Sequence, residues 1–171
     1  MLKISHTGLI IISGLLWLII GSVLLPLGIN FLVESILEKN LIVLSRPLLD
    51  NLSYLMGSLD GALILVTCLA LIVGYAKGRF VLGKTVKKGV ERILSLPNPS
   101  SLANIYTKKY YLLLGSMFFI GFLARMTPMD VRGAIDVTIG SALINGAIIY
   151  FRYAYQVYTG TLSLGQENEA A

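Results

Sequence analysis

Charge is what this chain has least of. Only 13% of its 171 residues are Asp, Glu, Lys or Arg, while 56% are hydrophobic. Soluble domains carry about 25% charged residues, so a water-facing surface cannot be assembled from what remains. Cysteine is limited to Cys68, inside an apolar run, which excludes an intrachain disulfide. Histidine is limited to His6, and one His with one Cys cannot make a dedicated His/Cys metal cage within a single chain. The G-x-S-x-G, H-E-x-x-H, C-x-x-C and P-loop patterns are all missing. No carboxylate pair sits at helical spacing on an embedded face, and "LDG" at 59–61 is too short to specify a lipid-transferase motif. An acid–base pair drawn from Asp60, Asp136 and nearby arginines has nothing to single it out. The sequence therefore points to no metal, no cofactor and no enzyme chemistry.

What it has instead is long apolar runs, with a mean hydropathy of +0.78. A spanning helix needs about 20 mostly apolar residues. Four runs qualify, at about 8–33, 57–76, 110–126 and 128–155. The first is free of charge, contains Pro26, and is too long for the apolar part of a signal peptide. The fourth opens on "TPMD", read as Thr127 at the N-cap, Pro128 at the first helical position and Asp130 closing a capping box. "LSLPNPSS" breaks the chain between the second and third runs. The expected architecture is all-α: a four-transmembrane-helix bundle forming one membrane domain over 1–160, with a disordered polar tail at 161–171.

The few charges are placed unevenly. Residues 77–109 hold eight Lys/Arg (Lys77, Arg79, Lys84, Lys87, Lys88, Arg92, Lys108, Lys109) against Glu91, a net charge of +7. The connection 34–53 carries Glu34, Glu38, Lys39, Arg46 and Asp50, a net of −1. Short Lys/Arg-rich loops stay on the cytoplasmic side, so both termini and the basic segment are expected there, in the plasma membrane. Leu82, Val86, Val90, Ile93 and Leu94 recur at helical spacing opposite the lysines. That is the pattern of a basic amphipathic interfacial helix between the second and third spans, suited to anionic lipids at the cytoplasmic face. A plain extension of the second span that only sets topology is the blander alternative. The lone aromatic Phe80 argues against nucleic acid.

Small residues mark packing faces. Gly14, Gly21 and Gly28, and Gly133, Gly140 and Ala147, are spaced by seven, which keeps each set on one slowly drifting face. Gly57/Gly61 and Gly74/Gly78 form two G-x-x-x-G pairs. "LIIGSVLL" also resembles "LLLGSMFF", and the second run resembles the fourth, as in a duplicated hairpin.

Embedded polar groups are the remaining candidates for a site. Asp60 and Asp136 fall near the outer boundary with Arg125, Arg132, Asn30 and Glu34. Arg132 precedes Asp136 by four residues, the spacing of a helical ion pair. Thr138, Ser141, Asn145 and Arg152 share one stripe of the last helix, which would either hydrogen-bond a neighbouring helix or line a hydrated path. Two functions fit: an accessory or scaffolding protein that associates with itself or another membrane protein, or a small oligomeric transporter or channel subunit.

Overall fold

The computed structural model describes residues 3–37, 46–95, 100–101, 123 and 126–162. The expected third span at 110–126 lies outside the described residues except at 123 and 126, as does the tail from 163 onward. Helix α1 is His6–Leu37, α2 is Pro47–Met56, and α3 is Leu59–Lys77. A π-helical segment, Gly78–Leu82, joins α3 directly to α4, Gly83–Leu94, and α5 is Met129–Tyr158. A two-residue antiparallel pair, β1 (Lys3–Ile4) with β2 (Ser100–Ser101), sets Lys3 opposite Ser101. Among the described residues three helices are long and apolar enough to cross a membrane: α1 with 32 residues, the continuous Leu59–Leu94 helix with 36, and α5 with 30.

The bundle is organised around α5, which lies between α1 and α3. Helix α1 runs antiparallel to it, and the seven-residue glycine series meet in register. A β-carbon on Gly28 would lie 2.6 Å from the Val137 nitrogen, and one on Gly133 would lie 2.7 Å from the Gly28 oxygen. One on Gly21 would lie 2.9 Å from the Gly140 oxygen, and one on Gly14 would lie 3.0 Å from Tyr150. The two series are therefore the two sides of one contact within the chain. Trp17 closes this contact lower down, its ring centroid 5.5 Å from that of Tyr150 in an edge-to-face arrangement.

Helix α3 runs parallel to α5, with Gly74 against Thr138 and Ser141 and Gly78 against Ala142 and Asn145. Its buried residues, Ala62, Val66, Ala70, Gly74 and Gly78, recur every four positions. Four residues overshoot a 3.6-residue turn by about 40° per step, so such a stripe drifts off its partner. The wider π turn at Gly78–Leu82 counters the drift. Val86, Val90 and Ile93 of α4 thereby continue the buried line into a cluster with Leu9, Ile10, Tyr150 and Ala154.

Several expected boundaries shift. The first span extends to Leu37, and the second starts at Leu59 rather than 57. Gly57 and Gly61 are not a packing pair. Gly57 has φ +71 as the left-handed C-cap of α2, its N–H bonded to the Ser53 oxygen. Gly61 donates to its own helix's cap, Ser58 Oγ, at 3.1 Å. Both serve the turn between α2 and α3. Helix α2 itself falls in what the sequence suggested was the connection before the second span.

Substitution at the matched glycines should separate backbone contact from mere proximity. Gly28→Ala should lower stability by about 1–3 kcal/mol, because the neighbours are backbone and cannot turn away. Gly83→Ala meets only Ile149 at 3.5 Å and should be neutral or stabilising by up to about 1 kcal/mol. Thermal midpoints in mild detergent would check this; equal midpoints for the two variants would remove the glycine contact as the organising feature.

Candidate functional site

The polar groups gather at the end of the bundle where α1 finishes, α2 begins and α5 begins. Pro47 occupies the first turn of α2, and the residue before it, Arg46, offers no side-chain cap. The next two amides would be orphan donors. Asp130, fully buried, supplies the acceptor from another helix: its Oδ2 accepts from Leu48 N at 2.8 Å and Leu49 N at 3.1 Å. Its Oδ1 accepts from Val131 N at 2.8 Å. One carboxylate thus stands at the positive ends of two helices, α2 and α5, where negative charge is favoured.

Asp130 was expected to close a box for its own helix. Instead α5 starts at Met129, because Pro128 at ψ 150 is still extended and takes the N-cap position itself. That leaves Asp130 in the first turn and aimed at α2. Arg46 completes the corner. Its Nη1 donates to the Ser35 oxygen in the last turn of α1 at 3.0 Å, and its Nε lies 3.7 Å from Asp50 Oδ1.

One turn deeper, Arg132 Nε lies 3.9 Å from Asp136 Oδ2. The Arg132 guanidinium also stacks over Phe31 of α1, 4.1 Å from the ring centroid, so it couples α5 to α1 as well as neutralising the carboxylate. Asp60 does not join this pair. It is exposed in the first turn of α3, where it complements that helix's dipole behind the Ser58 cap. Asn30 and Glu34 are also exposed, on α1. Arg125, Lys108 and Lys109 lie outside the described residues.

The α5 stripe faces α3 and is packed. Thr138 Oγ1 donates to Ala134 O at 2.8 Å and Asn145 Nδ2 to Ser141 O at 2.9 Å, both within α5. Ser141 Oγ donates across to Leu71 O at 3.3 Å. Gly74 lies against the Thr138 backbone oxygen and the Ser141 side chain, and Gly78 against the Asn145 β-carbon. Arg152 is exposed near the far end. The groove beside the stripe, lined by Leu48, Leu52, Val66, Leu69, Ala70, Val73, Ala134 and Thr138, is almost wholly apolar. Among the described residues no three His, Cys, Asp or Glu side chains converge as metal ligands. Lys77, Arg79, Lys84, Lys87 and Lys88 are exposed at the opposite end of the bundle, with Arg92 half-buried.

The chain matches no family model, no curated protein and no solved structure.

Sequence reading missed Asp130 and Arg46 as partners of α2. The available signal was "RPLLDNLSYL", with Pro at a helix start and Leu48, Leu49, Leu52 and Leu55 at helical spacing. That a carboxylate 82 positions away would cap it has no local signature.

Asp130→Ala should cost about 2–3 kcal/mol, since two buried amides lose a charged acceptor. The loss should concentrate in α2. Hydrogen exchange should show faster exchange at Leu48 and Leu49 while the centre of α5 stays protected. Unchanged protection of α2 would show that its start is held by something else.

Proposed function

We propose that this is a non-enzymatic multi-pass membrane protein acting through helix packing and association, as an accessory or scaffolding component of a membrane assembly. One observation carries the reading: Thr138, Ser141 and Asn145 of α5 each donate to a backbone carbonyl, and Gly74 and Gly78 pack against Ser141 and Asn145. A permeation path needs such groups to face a hydrated gap. The matched glycines are engaged within the chain, so association would use other surfaces. The aliphatic outer ridge of α3, with Ile64 and Ile72, is the natural choice.

The fuller topology belongs to the same proposal. Helices α3 and α5 run parallel, and the β1–β2 pair lies at the end of the bundle where α1 starts and α5 finishes. The chain therefore leaves residue 101 at one end and re-enters α5 at the other. In this proposal the return crossing is the apolar run at 110–126, lengthened by 105–109 toward the about 20 residues that a hydrocarbon core requires. The proposed topology is four crossings, with both termini and the basic segment on the cytoplasmic side by charge.

Two measurements test this. In a Cys68→Ser background, Ser95→Cys should resist an impermeant thiol reagent in intact cells while Asn51→Cys reacts; the reverse pattern would invert the topology. Purified protein should run as an oligomer or bring a membrane partner with it, and proteoliposomes should show no leak that Asn145→Ala alters. A monomer with Asn145-dependent ion or solute flux would instead establish the transporter alternative.

A further inference from the structure

The two faces of α4 have different surroundings. Val86, Val90 and Ile93 are at most 1% exposed, enclosed by Leu9 and Ile10 of α1 and by Tyr150 and Ala154 of α5. Lys84, Lys87 and Lys88 point outward, with Arg79 a turn earlier. Glu91, 3.8 Å from Lys87, is the sole acidic residue on this helix. A membrane-surface helix ordinarily binds by sinking its apolar face among acyl chains. In α4 that face is occupied by the rest of the bundle, so only charge remains to be offered outward.

Depth decides what that charge meets. The 20 residues from Leu59 to Gly78 span about 30 Å, the thickness of a hydrocarbon core. Beyond Arg79, Phe80 and Val81 are exposed and apolar. Leu82 and Trp17 both lie against Gly146, which sets the start of α4 level with the lower part of α1. The first turns of α1 beside α4 still carry exposed Ile11 and Leu15. Lysines and lipid-type surface at one level mark the headgroup boundary rather than open water.

We infer that Lys84, Lys87, Lys88 and Arg79 form a non-inserting, electrostatic docking site for anionic phospholipid headgroups of the bilayer that the bundle crosses. A soluble acidic partner would have to compete with headgroups held permanently at that level by the spanning helices. Because the α4 backbone is held by its buried face, the lysines are presented on a rigid surface, and selectivity follows headgroup charge rather than acyl-chain packing. The inference rests on the membrane-spanning part of the proposed function and is independent of the choice between scaffold and transporter.

The test uses the full chain in mild nonionic detergent, titrated with phosphatidylglycerol or phosphatidylcholine, with bound lipid followed by native mass spectrometry. Phosphatidylglycerol should bind at least about tenfold more tightly. The preference should vanish in about 1 M salt, where the Debye length is about 3 Å. Replacing Lys84, Lys87 and Lys88 together by Gln should weaken phosphatidylglycerol binding on the order of a hundredfold and leave phosphatidylcholine unchanged. A triple variant with wild-type preference, or a wild-type preference that survives high salt, would overturn the site. The salt titration needs no variant, so it decides even if the triple variant misfolds. Displacement of the lipid by millimolar inorganic phosphate would overturn the lipid assignment in favour of a free-anion site. Failure to bind any lipid while the protein stays folded and soluble without detergent would instead refute the membrane reading itself.

Discussion

The contact of α1 with α5 at matched glycines is the constraint from which the rest of the structure follows. Lipid tails are as apolar as leucine, so no hydrophobic drive holds two helices together inside a bilayer. What remains is dispersion between closely approaching backbones, and that needs positions without side chains. Gly28 opposite Gly133 and Gly21 opposite Gly140 provide it along the middle and one end of the pair. With α1 on one flank of α5, Gly74 and Gly78 bring α3 onto the other flank by the same means. The central helix then has few free surfaces, which is why so many of its residues are buried.

The two ends of the bundle are closed by different physics. At the end where α5 begins, closure is polar: Asp130 holds the amides of α2, Arg46 reaches the last turn of α1, and Arg132 lies between Asp136 and Phe31. Each group satisfies a helix terminus or a charge that the bilayer would leave unpaired. At the other end closure is apolar: Leu9, Ile10, Val86, Val90, Ile93, Tyr150 and Ala154 make one cluster, and the lysines of α4 are exposed on its outer face. The π turn is the device that joins them, since without it the stripe of α3 would rotate away from α5 before reaching α4.

These arrangements bear directly on function. Of the groups that a sequence offers as a possible path, Ser141 bonds across to α3, while Thr138 and Asn145 bond to carbonyls of their own helix. The embedded ion pair is local to α5, with its arginine braced by an aromatic ring rather than facing a chamber. The described helices offer apolar outer faces and one basic end, the surfaces through which the proposed association would act.

How much of this was legible in the chain depends on the range of the interaction. The three helices long and apolar enough to cross a membrane were legible as apolar runs, because a lipid surrounding imposes one requirement on every residue of a segment. The seven-residue glycine spacing was legible as a face, and Arg132 with Asp136 as a pair, because both are fixed by helical geometry within one element. What the sequence by itself could not determine was which faces meet. That Gly14, Gly21 and Gly28 pack on the chain's own last helix, that Gly57 and Gly61 make a turn, and that Asp130 caps α2 were decided only by the tertiary structure. Glycine spacing is identical whether the partner helix is near, distant or on another molecule. A capping carboxylate carries no mark of the helix it caps, since hydrogen-bond geometry depends on where the backbone places it and not on its neighbours in the chain.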